Sequence, residues 1–261
     1  MSMSTLSSSH VVRPTVLAYH ELTAEEPAYR YALSCRKFEE HAQFAASSES
    51  RGQLVISFDD GHISNYANAL PLLEKYSCKA IFFVIAGRIG AHKDFMTWTH
   101  LQELVRLGHS VQAHGWSHAF LTQCSDSELE TELKRPRQVI EQRLGTKVEA
   151  LSVPHGRWNR RVVKACAEEG YRRLYTSSPW TSRHAVNRVE IIGRLVMLRS
   201  MDAIQLSRWL SMSRAEAGLR RTGHAVKESA RRILGSKLYY QLWARFSAWN
   251  GPDDTVLNVD Q

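Results

Sequence analysis

The sequence predicts an α/β domain built on a mostly parallel sheet. Short apolar runs typical of buried strands alternate with longer stretches in which apolar residues recur at helical spacing. The 261 residues are enough for one large domain, and the 43% hydrophobic composition can supply its core. In such a sheet the loops at the carboxyl ends of the strands carry the chemistry, so polar residues at those ends are the first functional candidates.

Seven segments are predicted as strands because each is a short apolar run bounded by polar or turn residues. They cover residues 15–19, 54–56, 80–85, 110–113, 147–151, 173–175 and 189–195. Helices are predicted over residues 34–44, 64–76, 97–107, 125–144, 160–169 and 201–212. The alternation of strands and helices is typical of βαβ units, which build parallel sheets.

Local signals mark the ends and irregularities of several predicted helices. Thr97 can cap one helix through its side chain. Ser125 and Glu128 have the spacing of a capping box at the start of another. Pro71 is expected to interrupt or restart the second helix, and Pro136 to kink the fourth, because proline lacks the backbone N–H that a helix interior needs.

Two adjacent carboxylates, Asp59 and Asp60, follow the apolar run 54–56 in the stretch Ser-Phe-Asp-Asp-Gly. Neighbouring side chains of an extended segment point to opposite sides, so the two can take different roles if the chain bends at Gly61. One could hold a cation while the other acts as a base. By itself, an Asp-Asp-Gly sequence also suits a capping or turn role.

A pair of histidines, His114 and His118, follows the strand predicted at residues 110–113. At positions i and i+4 they would share one face of a helical turn, so both imidazoles could reach one metal ion. With Asp60 they would form a set of two histidines and one carboxylate that leaves positions open for water and substrate. Each of the 12 histidines could also be an ordinary hydrogen-bonded residue, but paired histidines together with carboxylates favour a metal site.

At these residues the sequence resembles the polysaccharide deacetylase family, the NodB-homology group also called carbohydrate esterase family 4. Residues 57–61 are similar to its first motif, and residues 114–118 to its second, with Gly115 in the place of a Ser or Thr. The likeness runs from residue 16 to about residue 204. It implies a distorted, incomplete TIM-like (β/α) barrel. It also implies that Asp59 is the catalytic base and that Asp60, His114 and His118 bind the metal.

The stretch 152–157 resembles the third family motif, Arg-x-Pro-Tyr-Gly, with two departures. Ser152 stands where the family has the arginine that orients the base. His155 stands where the family has the tyrosine whose backbone N–H helps to bind the oxyanion, so the resemblance implies a catalytic role for His155. Pro154 and Arg157 are expected to contact substrate, and Arg157 is a nearby charge that could replace the missing arginine.

The last family motif, Leu-x-His, supplies the acid that protonates the leaving amine, and residues 191–196 contain no clear counterpart. His20, His155 and His184 are candidates because an unperturbed imidazole titrates near neutrality. His20 should follow the first strand and reach the same end of the sheet as Asp59, where it could contact substrate. The alternative for His20 is an ordinary histidine at a strand end.

The function that the resemblance implies is that of a metal-dependent hydrolase. It would remove an acetyl group, most simply an N-acetyl group, from a sugar during polysaccharide or glycolipid biosynthesis. Zinc is the expected metal, and iron, cobalt or nickel also suit two histidines and a carboxylate. One alternative is hydrolysis of another non-peptide amide. Another is a catalytically weak sugar-binding or membrane-associated partner protein, which the missing arginine and acid would explain.

Charge and cysteine usage bear on partners and location. The formal net charge of +8 favours anionic partners such as nucleotide-linked or lipid-linked sugars, acidic polysaccharide or a lipid surface, and nucleic acid is not expected. The first ten residues lack the pattern of a secretory leader. The four cysteines form no CxxC pair, which is typical of reduced thiols. These observations predict a cytoplasmic protein.

The domain organisation is predicted as three segments: a disordered N-terminal segment at 1–13, the deacetylase-like domain at 14–211, and a basic helical tail at 212–261. In the stretch 214–249, Arg and Lys residues are interleaved with aliphatic and aromatic ones. Such an amphipathic segment could contact an anionic membrane peripherally, at the inner face. Alternatively, it packs on the domain and leaves its basic face in solvent.

Overall fold

The structure is a computed structural model, and it describes residues 14–47, 50, 52–181, 183–213, 215, 216, 218, 219 and 222. The chain divides into two units, Met1–Leu210 and Ser211–Gln261. All the helices and strands named below lie in the first unit. The segment predicted at 1–13 and nearly all of the tail predicted at 212–261 lie outside the described residues.

The fold is an α/β arrangement around one nine-stranded sheet, as the sequence predicts. The strands are β1 Thr15–Tyr19, β2 Glu21–Thr23, β3 Ala32–Ser34, β4 Leu54–Phe58, β5 Ala80–Val84, β6 Ser110–Ala113, β7 Ala150–Ser152, β8 Arg173–Tyr175, β9 His184–Val186, β10 Val189–Ile192 and β11 Arg194–Val196. The order in the large sheet is β11-β1-β4-β5-β6-β7-β8-β10-β9, and β2 pairs with β3 separately. All pairs are parallel except β9 with β10.

The sheet curls into an incomplete barrel, and Gly193 lies at the point where its two ends approach. Strand β10 pairs with β8 near one end of the order, whereas β11 pairs with β1 at the other, yet only Gly193 separates the two strands in the chain. A Cβ at this glycine would lie 2.5 Å from the carbonyl oxygen of Ser178 and 2.7 Å from that of Thr181. The junction is therefore too crowded for any larger residue.

The two faces of the sheet have different environments. One face packs against the helices and belongs to the main hydrophobic cluster, which includes Leu17, Phe58 and Phe82. The other face forms a smaller inner cluster of Val16, Phe83, Ala150, Tyr175 and Ile192. Because side chains alternate along a strand, residues two positions away from a member of this inner cluster also point into the barrel. Above the apolar layer, the inner positions of β4 and β7 are polar, as Ser57 and Ser152 show.

The helices cover the outer face of the sheet. They are α1 Cys35–Ala46, a π-helix at Asn65–Ala69, α2 Leu70–Lys75, α3 Trp98–Arg106, α4 Asp126–Leu144, a 3₁₀ turn at Pro154–Gly156, α5 Arg160–Glu168 and α6 Ala203–Leu210. The predicted caps are confirmed, since Thr97 and Ser125 each form a capping box. Pro71 lies at the start of α2, where the π-helix gives way to an α-helix. Helix α4 is a single helix that includes Pro136.

Two strand predictions need correction, and three short strands were missed. The strand predicted at 147–151 begins only at Ala150. The side-chain amide of Gln112 bonds to the backbone at and before this start. Its Nε2 donates to the carbonyl of Lys147, and its Oε1 accepts from the N–H groups of Glu149 and Ala150. The strand predicted at 189–195 is two strands, divided at Gly193. The short strands β2, β3 and β9 were not predicted.

None of the helices in the described part of the chain has the length and the hydrophobicity that crossing a bilayer requires.

Candidate active site

Four polar side chains converge inside the curved sheet. Asp59 directly follows β4, His114 directly follows β6, and Ser152 is the last residue of β7. Arg194 is the first residue of β11, which reaches the group from the other end of the strand order. All four are at most 2% exposed. The polar residues at the carboxyl ends of the parallel strands thus lie together as predicted. The buried guanidinium of Arg194 is a further member of the group.

Asp59 and Arg194 form a bidentate ion pair. Nη1 of Arg194 donates to Oδ1 of Asp59 at 2.7 Å, and Nη2 donates to Oδ2 at 2.6 Å. The Ser152 hydroxyl also donates to Oδ2 of Asp59, at 3.1 Å. Two parallel charge-assisted hydrogen bonds fix the plane of the carboxylate as well as its position.

Every N–H of the Arg194 guanidinium has an acceptor. Besides the two bonds to Asp59, Nη1 donates to Ser57 Oγ at 3.3 Å, Nη2 to Ser152 Oγ at 2.8 Å, and Nε to the carbonyl oxygen of Thr176 at 3.2 Å. A guanidinium has five N–H groups, so none is left without a partner. This complete set of acceptors is what allows a charged side chain to be fully buried.

The charges around Asp59 determine its protonation state. Burial by itself would raise the pKa of this carboxyl, but the positive charge of Arg194, and after it that of His114, hold the pKa at about 2. Because the pKa is lowered, the carboxylate form persists throughout the neutral range.

Asp60, His114 and His118 form a second cluster beside Asp59. One oxygen or nitrogen atom from each of the three lies within 4.8 Å of the others. Oδ1 of Asp60 is 3.3 Å from Nε2 of His114 and 3.5 Å from Nε2 of His118. Burial opposes the ionisation of Asp60, but the two imidazoles nevertheless lower its pKa.

Left-handed backbone conformations build this cluster. The chain already turns at Asp60, with φ 72°, and continues the turn at Gly61, with φ 83°. Gly115 and His118 also have positive φ angles, 76° and 74°. The prediction that His114 and His118 share a face of a helical turn is therefore wrong, because left-handed residues interrupt a right-handed helix. An irregular loop brings the two imidazoles together instead.

A backbone carbonyl orients His114 for metal binding. Its Nδ1 lies 2.9 Å from the carbonyl oxygen of Ser152. Because a carbonyl oxygen only accepts, Nδ1 must carry the hydrogen, and the ring therefore presents Nε2 to Asp60. Burial opposes the charged form of this ring, but the carboxylates of Asp59 and Asp60 raise its pKa. A carbonyl behind a histidine fixes tautomer and ring orientation in many metal sites.

The environment of His118 keeps its ring neutral. Burial, and after it the neighbouring charge of His114, lower the pKa of His118 to about 3. The ring is therefore uncharged at neutral pH, which is the form of imidazole that binds metals.

These three side chains fit a divalent metal ion. Oδ1 of Asp60 is buried and has no hydrogen-bond partner in the described part of the chain, although it faces two imidazoles. Two nitrogen ligands and one oxygen ligand leave further coordination positions open, as in catalytic rather than structural sites. Zinc, iron, cobalt and nickel all accept such a donor set. A bound cation would provide the partner that this carboxylate oxygen lacks.

The third motif lies next to the histidine loop. His155 has a φ of 58°, and its Nε2 donates to the carbonyl oxygen of His118 at 3.0 Å. The His155 ring stacks on Phe120 with the ring centroids 3.7 Å apart. The guanidinium of Arg157 lies 5.1 Å from the centre of the same Phe120 ring. His155 and Arg157 therefore share an aromatic contact at the edge of the metal cluster.

The charge that the third motif lacks comes from Arg194. Arg157 stacks on Phe120, whereas Arg194 holds Asp59. The expectation that Arg157 replaces the missing arginine is therefore wrong. A signal for Arg194 was present in the sequence, since it is the single charge within the apolar stretch 191–196, and a buried charge needs a partner.

The candidate acids are placed differently. His20 directly follows β1, and its charge contributes to lowering the pKa of both Asp59 and Asp60. Nδ1 of His20 is buried and lacks a hydrogen-bond partner among the described residues. His184 lies in the exposed strand β9, with its ring 6.3 Å from that of Trp158. Only His20 and His155 are thus shown to lie near the carboxylates.

Comparison with known proteins identifies what the chain is similar to. The family model for polysaccharide deacetylases matches residues 46–174. The Bacillus subtilis protein YxkH, assigned to the polysaccharide deacetylases, is 29% identical over 143 residues, which are 53% of this chain and 51% of that protein. The peptidoglycan-N-acetylglucosamine deacetylase of Bacillus cereus is 26% identical over 125 residues, which are 48% of this chain and 56% of that protein. The chain thus spans about half the length of these curated relatives.

Solved structures show the same fold. The Streptococcus pyogenes deacetylase PplD in complex with acetate superposes with a TM-score of 0.67 at 24% identity, over 76% of this chain and 97% of that one. The likeness covers more of the chain than the family model does, and it agrees with the curled parallel sheet described above.

We expect His114→Ala and His118→Ala each to lower the metal content of the purified protein, because each removes one of three ligands while leaving the ion pair of Asp59 intact. Zinc per chain would be measured by mass spectrometry after dialysis, with His184→Ala as the control variant on an exposed strand. Unchanged stoichiometry in both ligand variants would contradict the site.

Proposed function

The chain belongs to the polysaccharide deacetylase family, and from this premise we propose that it is a metal-dependent hydrolase that removes an acetyl group from an N-acetylated sugar. The observation that carries the proposal is the placement of an ionised carboxylate, Asp59, within one residue of a cluster that fits a metal. Its Oδ2 is 4.0 Å from Nε2 of His114. A base and a metal-binding set side by side are the parts that hydrolysis of an acetyl group needs.

Asp60, His114 and His118 would hold the metal, for which zinc is our proposal. When bound, such an ion polarises a carbonyl group and makes water easier to deprotonate. His114 contributes a ring whose tautomer is fixed by Ser152, and His118 contributes a neutral ring. His118 therefore needs no loss of a proton before it binds, whereas in spite of burial the charge of Asp59 raises the pKa of His114, so the Nε2 proton of His114 must leave when a metal binds.

Asp59 would accept the proton from the attacking water. Its lowered pKa keeps it ionised at neutral pH but also makes it a weaker base than a carboxylate without a partner. Arg194 offsets this weakness by fixing both carboxylate oxygens in one orientation, and well-oriented groups react far faster than free ones. The backbone N–H of His155 would bind the developing oxyanion, with Pro154 and Arg157 in contact with substrate.

The arginine also bears on the alternatives. A catalytically weak binding protein was the alternative because the family arginine is missing from position 152 and the family acid has no clear counterpart. Arg194 removes the first of these two reasons, since its guanidinium holds the same carboxylate from another strand. Deacetylation is therefore the function that the geometry supports best, and hydrolysis of another non-peptide amide remains the alternative within the same chemistry.

The sugar and its carrier are further proposals. The +8 charge favours a nucleotide-linked or lipid-linked substrate over a neutral one. The interleaved basic and apolar residues of 214–249 favour peripheral contact with an anionic membrane from the cytoplasmic side. Apart from a few positions, that stretch lies outside the described residues, so these two proposals rest on composition alone.

We expect the zinc-loaded protein to release acetate from at least one N-acetyl sugar in a panel of free, nucleotide-linked, lipid-linked and peptidoglycan-derived substrates. Asp59→Asn should abolish the release but retain the metal, because an amide cannot accept the proton and keeps the shape of the side chain. Acetate would be measured enzymatically, with melting temperature as the check on folding. Activity that persists in a folded Asn variant would show that Asp59 is not the base.

His20 is our proposal for the proton donor to the leaving amine. Its position after β1 and its buried Nδ1, which lacks a partner among the described residues, favour it over His155, whose Nε2 hydrogen already bonds to the carbonyl of His118. His184 lies on the exposed strand β9.

His20→Gln should therefore lower the turnover of the amide substrate by about 10²- to 10⁴-fold. An acetyl ester with an acidic phenol as leaving group should be hydrolysed almost as fast as by the wild type, since phenolate leaves without protonation. The two rates would be compared in the same zinc-loaded preparation. Equal losses for amide and ester would assign His20 a structural or substrate-contact role instead.

A further inference from the structure

The loop at residues 114–118, here called the histidine loop, is held by its main chain on one side. The N–H of Ala86 donates to the carbonyl of Gly115 at 3.2 Å, and the N–H of Gly87 donates to the carbonyl of Trp116 at 3.0 Å. These bonds fix two carbonyl groups of the loop to the segment that follows β5. They leave the N–H groups of the loop to be satisfied from elsewhere.

Glu132 of helix α4 accepts from those N–H groups. Its Oε2 accepts from the N–H of Trp116 at 2.9 Å and from the N–H of Ser117 at 3.1 Å. Its Oε1 accepts from the Ser117 hydroxyl at 2.5 Å and lies 3.2 Å from the Ser117 N–H. Glu132 is only 6% exposed. A carboxylate buried to this extent requires such donors, so the side chain and the loop depend on one another.

Gly115 is the residue that makes room for this carboxylate. A Cβ built at Gly115 would lie 2.9 Å from Oε2 of Glu132 and 3.4 Å from Cγ of Pro154. The family motif has a Ser or Thr at this position. In this chain the space beside the loop is occupied by a side chain that comes from α4.

His118 is the ligand that depends most on this support. His114 is fixed independently, because its N–H donates to the carbonyl of Val84 at 2.9 Å and its ring bonds to Ser152. His118 instead follows the two peptide units that Glu132 binds, and its own backbone has a positive φ. Its ring can face Asp60 only if those two peptide units keep their orientation.

We propose that Glu132 is a positioning residue for the metal site, which holds the histidine loop in its metal-binding shape before an ion arrives. The proposal rests on the metal site of the proposed function, but it concerns only this chain's own residues. It predicts that replacing Glu132 weakens metal binding in a protein that is still folded at the temperature of measurement.

The test is zinc affinity, measured by competition with a chromophoric chelator on metal-free protein. Glu132→Gln replaces one acceptor oxygen by a donor group that cannot bond to an N–H. We expect it to weaken zinc binding by about 10- to 100-fold, the loss typical of residues that orient metal ligands. Glu130→Gln is the matched control, since it makes the same change at an exposed position of α4, where Glu130 pairs with Lys134.

A second variant covers the case in which Glu132→Gln does not fold. Ser117→Ala removes one donor without altering the buried charge, and it should weaken zinc binding by a smaller factor in the same direction. Zinc affinity equal to that of the wild type in folded Glu132→Gln, or in Ser117→Ala if the first variant is unfolded, would overturn the proposal and leave Glu132 a purely structural residue. If the wild type itself binds no zinc, the metal site of the proposed function fails, and this inference fails with it.

Discussion

The buried ion pair between Asp59 and Arg194 is the interaction on which the rest of the structure depends. Removing either charge would leave the other buried without a partner, which typically costs about 3–5 kcal/mol. The guanidinium also bonds to Ser57, Ser152 and Thr176, so a single side chain connects β4, β7, the end of β8 and β11. The same contacts that hold the inner ends of the strands together fix the carboxylate that we assign as the base.

The position of Arg194 follows from how the barrel is completed. Because Gly193 allows the chain to pass from β10 directly to β11, the strand that carries Arg194 pairs with β1 and lies two places from β4. In the family motif the arginine comes from the position of Ser152, on β7. Here the small Ser152 leaves space for a guanidinium from β11, while β11 carries no family histidine. The site therefore keeps its charge pair and must take its acid from elsewhere.

Local patterns in the sequence predicted most of the fold and the centre of the site. The apolar runs located β1, β4, β5 and β6, and the Asp-Asp and His-x-x-x-His spacings brought together Asp60, His114 and His118 as ligands. The partner of Asp59 was not found, because pairing between β11 and β1 is a property of the strand order rather than of any local pattern. Glu132 was missed for a related reason: on an amphipathic helix it looks like any polar residue.

The errors at individual residues also have physical causes. The histidine pair looked helical because i and i+4 share a helical face, but the positive φ angles of Gly115 and His118 form a loop instead. The start of β7 was predicted too early, because a side chain, Gln112, took the place of a neighbouring strand. In both cases a tertiary contact replaced the local preference that the pattern expressed.

The most direct test of the account is the turnover number of Arg194→Lys and of the double variant Arg194→Ser with Ser152→Arg, each loaded with zinc and checked for folding. Lysine keeps the charge but cannot bind both oxygens of Asp59, so kcat should fall by about 10²-fold with zinc content unchanged. The double variant returns a guanidinium to the family position and should recover much of that loss relative to Arg194→Ser alone. A folded, zinc-loaded Arg194→Lys variant with the kcat of the wild type would contradict the claim that Arg194 orients the base.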